Sequence, residues 1–157
     1  MSDRAPVRAW LALLKAANGL KKSVDARFRD RFGLSISRFD VLAALDRAGP
    51  QGLRAGALSQ FLMVTEGNTT QVTAPLIRDG LVRRAAERDD ARVAIYRLTK
   101  KGAALFAEMA AEHRRLITDA FEGLAEGELE TLRALTLRIR APDTRREATD
   151  EPQRIFA

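Results

Sequence analysis

Apolar residues recur at spacings of three and four through most of this chain, and the pattern turns extended in one short segment. From residue 6 to 32, Trp10, Leu11, Leu14, Ala17, Leu20, Val24, Phe28 and Phe32 form one stripe, which predicts a long helix. Asn18-Gly19 falls in its middle, where a glycine weakens a helix by roughly 1 kcal/mol relative to alanine. At 1.5 Å per residue such a helix spans ~40 Å, more than a domain of this size needs for its own core. A continuous stripe on excess helical length predicts packing on a partner chain. The Arg and Lys residues between the apolar positions read as its solvated face.

Gly33 stops that helix, and Ser35 or Ser37 can cap the next. The second stripe, Ile36, Phe39, Val41, Leu42 and Leu45, runs to about Arg47 before Gly49-Pro50 and Gln51-Gly52 turn the chain. A short helix of about eight residues is expected next, with Ala55, Leu58 and Leu62 inward and Ser59 and Gln60 outward. Met63-Val64 leads to Thr65, whose hydroxyl suits a helix start.

Residues 65 to 81, TEGNTTQVTAPLIRDGL, organise the rest. Val72, Leu76, Thr69 and Thr73 recur at helical spacing and give a face to bury. Asn68, Thr70 and Gln71 fall on the other face, short or flexible polar side chains able to bond base edges or phosphates. Asp79-Gly80 closes the helix through the left-handed turn that glycine permits. A short helix, a tight turn and a second helix with a polar face make a helix-turn-helix, in which the second helix reads DNA.

From Leu81 to Thr99, LVRRAA and RVAIYRL read as two strands joined by the polar turn ERDDA. Seven Arg and Lys between Arg83 and Lys101 stand against three acids, a local charge of +4. A hairpin tip with Arg88 and Arg92 can reach a narrow minor groove, where negative potential is greatest. The alternative is that Asp89 or Asp90 pairs with those arginines at a solvated turn.

Thr99 is placed to cap another long helix, from Lys100 to about Glu122, with Leu105, Phe106, Met109, His113, Leu116, Ile117, Ala120 and Phe121 along one stripe. After a turn at Leu124-Ala125, Glu126 to Arg140 predicts a last helix whose inner face is Leu129, Leu132, Leu135 and Ile139. Its early acids and late Arg138 and Arg140 match the helix dipole. After Pro142 the sequence is polar until Ile155-Phe156.

Composition narrows the function. With 157 residues and 46% hydrophobic content the chain can bury a core, and it is not disordered overall. A net charge of +6, heavily from arginine, favours a polyanionic partner, since the guanidinium fork suits phosphate. No cysteine and a single histidine, His113, exclude disulfides and thiolate metal sites and leave no zinc set. Neither catalytic residues nor a cofactor are indicated: there is no G-x-S-x-G, phosphate-binding glycine loop or metal cluster. No 18-residue apolar run and no signal peptide stand out, so a cytoplasmic protein with no membrane partner is expected.

At this point the order of elements resembles the MarR family, the multiple-antibiotic-resistance type of regulators, over roughly residues 7 to 140. LSISRFDVLAAL resembles the family's second helix, and IRDGLVRR its passage from recognition helix into wing. Asp90-Ala91-Arg92 matches the D-x-R wing motif, and Arg97-Leu98-Thr99-Lys100-Lys101-Gly102 the junction from wing to helix. The resemblance implies a mainly α fold with a small β-hairpin wing: a winged helix-turn-helix with N- and C-terminal dimerisation helices. The division it implies is 1–32 for the first dimerisation helix, 33–99 for the DNA-binding lobe, 100–141 for the C-terminal dimerisation helices and 142–157 for a tail.

It further implies a homodimer on double-stranded DNA, a transcriptional repressor on a pseudo-palindromic operator. The expected DNA contacts are Asn68, Thr70 and Gln71 to bases, with Arg78, Arg83, Arg84, Arg88 and Arg92 to phosphates or the minor groove. Thr70 sits where the family has its common recognition-helix threonine, and Arg92 where it has the wing arginine. Gln71 stands where many members have arginine, and Ala74-Pro75 replaces a polar pair. A proline costs ~3 kcal/mol in a helix interior, so a kink near residues 71 to 75 is expected.

The resemblance also implies a small aromatic or other anionic effector between the dimerisation helices and the lobe. Trp10, Arg38, Phe39 and His113 are the candidate lining residues. Their plainer readings are core packing for Trp10 and Phe39, a surface charge for Arg38 and a satisfied interface histidine for His113. His113 is also the one candidate pH switch. The alternative function is a winged-helix protein-interaction module, with Pro75 marking a degenerate reading helix.

Overall fold

The computed structural model describes residues 4–62, 66–87 and 92–140. The chain divides into two compact units, Met1–Ala120 and Phe121–Ala157. In the first unit, helix α1 spans Arg4–Phe32, α2 Ile36–Ala48, α3 Ala55–Leu62, α4 Glu66–Arg78 and α5 Lys100–Ala120. Strands β1 (Leu53–Arg54), β2 (Val82–Ala86) and β3 (Ala94–Leu98) complete it. Thr65, the expected cap of the reading helix, and the residues after 140 lie outside the described residues.

Helix α1 runs unbroken through Gly19, and only its C-terminal half is buried. Phe28 is fully enclosed and meets the Phe39 ring of α2 at 5.0 Å. The Asp25 carboxylate fixes the joint by accepting from the Ile36 N–H at 2.8 Å. Ser35, rather than Ser37, caps α2, accepting from the Arg38 N–H. Val41, Leu42 and Leu45 of α2, Leu58 of α3, Leu76 of α4, Tyr96 of β3 and Met109 of α5 close one continuous core around Phe28.

The short helix has the expected length, but Ser59 is buried instead of facing outward. Its hydroxyl donates to the Gly56 carbonyl at 2.8 Å, and this local bond removes the cost of burying it. The sheet has three strands, ordered β1-β3-β2, where the periodicity predicted two. Two residues of β1 pair with β3, Leu53 opposite Tyr96 and Arg54 opposite Ile95. A strand that short carries no readable alternation.

The second unit holds α6, Glu126–Arg138. The Glu128 carboxylate accepts from the Ala125 N–H at 2.8 Å, one half of a capping box; alanine has no oxygen to supply the other half. Leu132, Leu135 and Leu137 of this helix, and Ile139 just after it, are exposed.

Candidate nucleic-acid interface

Helix α4 is amphipathic in an unusual way, because its inward face is partly threonine. Thr69, Thr73 and Leu76 are buried, and Thr73 donates to the Thr69 carbonyl at 2.9 Å. That bond satisfies a hydroxyl that would otherwise be orphaned in the core. Asn68, Thr70, Gln71 and Arg78 are exposed, as expected. At 100° per residue, Gln71 and Arg78 lie at the centre of the exposed arc, with Asn68 and Thr70 at its two edges. Ala74 and half-buried Pro75 lie between them, so the middle of the face is flat and short. The helix is continuous through Pro75.

The C-terminus of α4 is held at three points. The Leu81 N–H donates to the Leu76 carbonyl and the Gly80 N–H to the Ile77 carbonyl, with Gly80 at φ 73°. These are the paired bonds of a glycine-dependent helix stop. Thr99 donates to the Gly80 carbonyl at 2.7 Å and accepts from the Gly102 N–H at 3.0 Å, joining this turn to the start of α5. Lys101 donates to the Asp79 carbonyl at 2.9 Å. Helix α4, the wing and α5 therefore meet in one fixed corner.

The wing strands pair from Val82 opposite Leu98 to Ala86 opposite Ala94. Alternation along β2 puts Arg83 and Arg84 on opposite faces of the ribbon. Arg84 shares its face with the buried Val82 and Tyr96, the side packed on the core; Arg83 is directly opposite Arg97 on the other. Arg54 and Glu87 bridge β1 to the end of β2 at 2.6 Å. Arg92 is exposed, and Arg88 lies outside the described residues. Arg78 contacts the neighbouring Asp79 carboxylate at 3.5 Å.

The four residues expected to line an effector site are only partly brought together. His113 stacks on Phe39 at 5.2 Å, inside a cluster with Phe28 and Phe106. Half-buried Asp40 lies beside it, its carboxyl raised above the ordinary range by burial, against the pull of Lys21 and His113. Arg38 is partly exposed on the first turn of α2. Trp10 is 56% exposed and 18 residues before Phe28, about 27 Å along the helix. Within the chain it does not join the cluster.

The periodicity passed over Glu112. Its side chain is only 3% exposed and accepts from Arg27 at 2.7 Å, Arg31 at 2.6 Å and Arg115 at 2.9 Å, pinning α1 to α5. The hydrogen bond from Arg115, then that from Arg27, holds its carboxyl at about 2, against the opposing effect of burial. The available signal was an acid on the apolar stripe, three residues after Met109 and four before Leu116.

Among the described residues no group of acids and histidine could hold a metal ion, and no helix is long and apolar enough to cross a membrane. The profile of the MarR family matches residues 32–93. Over 118 residues the chain is 31% identical to an uncharacterized HTH-type transcriptional regulator, YkoM of Bacillus subtilis, covering 74% of this chain and 75% of that protein. Over 96 residues, 60% of this chain, it is 32% identical to the transcriptional activatory protein BadR of Rhodopseudomonas palustris, and it spans about half (54%) of BadR's length. The fold is similar to that of Sco3205 from Streptomyces coelicolor, a MarR family regulator solved in complex with DNA. The TM-score is 0.78 at 21% identity, over 87% of this chain and 86% of that one.

Proposed function

The chain belongs to the MarR family of transcriptional regulators, and on that premise we propose that it represses transcription as a homodimer on a pseudo-palindromic operator. The observation that carries this reading is the exposed polar arc of α4, fixed at one corner to a cationic hairpin. Gln71 and Arg78 enter the major groove at the centre of the contact, with Asn68 and Thr70 reading or positioning at its edges. Arg84, Arg92 and Arg88 neutralise phosphates along the wing, so affinity falls steeply with salt. Arg83, on the face of the ribbon turned away from the core, adds a further phosphate contact.

Support for a dimer comes from surface that one chain leaves bare. Val7, Trp10 and Leu11 on α1 are more than half exposed, as are Leu135 and Leu137 of α6 and the following Ile139. Apolar stripes of this kind are covered in a stable protein, and a second copy covers both. Two reading helices then meet half-sites about one helical turn, ~34 Å, apart. A small aromatic or anionic effector in contact with the Phe39–His113 cluster releases the DNA by favouring a different spacing of the two helices.

The test is fluorescence anisotropy with duplexes tiled over the promoter of the gene encoding this chain and its neighbours. The expected result is a palindromic site bound by a dimer with strong salt dependence. A stable dimer that binds no duplex at any salt concentration points to a protein-interaction module and overturns the reading. BadR is named as an activator, so a promoter–reporter fusion in cells lacking this gene reads the sign: repression predicts a rise in expression.

A further inference from the structure

We infer that Arg54 and Glu87 form a clasp that sets the position of the wing, and through it the preference for operator over unrelated duplex. The Arg54 guanidinium donates to the Glu87 carboxylate at 2.6 Å. Arg54 is the last residue of β1 and immediately precedes α3, the first helix of the helix-turn-helix. Glu87 follows the last residue of β2, and its N–H donates to the Val93 carbonyl at 2.8 Å. The pair thus joins the far end of the ribbon to the body that carries α4.

Strand order makes this a long reach. β3 lies between β1 and β2, so their backbones are about 10 Å apart, twice the spacing of neighbouring strands. Arg54 is opposite Ile95 and Ile95 opposite Ala85, and alternation puts Glu87, two residues on, on that same face. The bridge therefore crosses β3 on the side turned away from the core. Along β2 only Val82 is buried, and the four residues after it are exposed. Packing holds the root of the ribbon; the clasp holds its far end. The Glu87 side chain is 22% exposed against 63% for Arg54, so the acid is the sheltered anchor and the arginine the arm that reaches it.

An ion pair this open to solvent shifts an equilibrium by no more than about fivefold. Its weight lies in what it aligns. A wing held at one angle puts Arg92 at one place along the groove, whereas a loose wing still finds phosphates, but on any sequence. Charge alone predicts the opposite outcome, since taking an acid from a cationic ribbon strengthens binding to every duplex. Glu87→Gln separates the two. It removes one negative charge from a chain of net charge +6. Even so, it should lower the ratio of operator to unrelated affinity by about fivefold for each wing, compounded in a dimer.

That consequence for DNA rests on the regulator reading; the clasp itself is tested without a duplex. One readout is hydrogen exchange at the Glu87 amide of the full chain, followed by NMR. The other is anisotropy on the palindromic duplex and on an unrelated duplex of equal length. Circular dichroism checks that each variant folds. R54Q should speed exchange at Glu87 by about fivefold. R54E/E87R reverses the pair at unchanged net charge and should restore both exchange and affinity ratio to within about twofold.

Unchanged exchange at Glu87 in R54Q overturns the clasp. Tighter binding of E87Q to both duplexes alike overturns the positioning role, as does a reversed pair that rescues neither readout. A uniform loss in R54Q with an unchanged ratio makes Arg54 an ordinary phosphate contact and overturns it too. Faster exchange in R54Q of a chain that binds no duplex keeps the clasp and removes the regulator reading.

Discussion

The carbonyl oxygen of Leu81 occupies the space that a Cβ on Gly102 would need. Gly102 is the third residue of α5, and Leu81 follows the glycine stop of α4, so only a bare backbone lets the two helices approach this closely. Gly102→Ala is therefore expected to destabilise the fold by about 3 kcal/mol, the upper part of the usual range for forced overpacking. Gly19→Ala is the contrasting substitution, since nothing lies near its missing side chain and it sits inside a helix. It should stabilise by roughly 1 kcal/mol. Urea denaturation of both variants, followed by far-UV circular dichroism, measures the pair; equal effects would contradict the close approach.

Glu112 should confer a pH dependence of known sign. Its carboxyl is held at about 2 in the folded chain against an ordinary value of 4.5, by Arg115 first and Arg27 second. A group depressed on folding stabilises above its unfolded value and loses that contribution as pH falls through the folded one. Thermal melts should thus show native stability falling between about 4.5 and about 2. Glu112→Gln should be less stable at neutral pH and should converge on the parent protein at the acid end. A constant gap across the range would mean the arginines do not act through the charge.

Base reading and phosphate binding are separable by two substitutions. Gln71→Ala should cost about 1–3 kcal/mol on the preferred operator and little on unrelated duplexes. Arg92→Ala should weaken binding on every duplex and lower the salt slope by about one. Anisotropy titrations at several salt concentrations distinguish them, and a sequence-independent loss for Gln71→Ala would remove it from the base-reading face.

Pro75 deprives α4 of one backbone bond and leaves the Gln71 carbonyl without its intrahelical donor. Pro75→Ala should raise the urea midpoint, by up to ~3 kcal/mol of stability if the new N–H bonds the Gln71 carbonyl. A loss of stability would show that the neighbouring packing depends on the proline ring.

Leu135 stands 52% exposed on α6. If a second copy covers it, Leu135→Glu places a charge on each side of the interface and should weaken the dimer by about a hundredfold or more. Sedimentation velocity over a dilution series reads this directly, and an unchanged association constant would put the interface elsewhere.

The helices were legible in the sequence because each carries its own period and its own stop. The α2 stripe, the eight-residue α3 and the buried threonines of α4 follow from spacing alone, and Gly80 and Thr99 from local chemistry. The polar arc of Asn68, Thr70 and Gln71 came the same way, since a helix fixes which residues share a face. What the linear order did not contain was any relation across distance. Ser59 turned inward because its hydroxyl found a carbonyl three residues back, and β1 exists only because β3 lies beside it. Glu112 gathers arginines from 81 and 85 residues away, a constellation that no local period encodes. The opposition of Arg83 and Arg97 was likewise a matter of strand register. Local hydrogen bonding and burial fix the elements residue by residue; packing alone decides which charges meet.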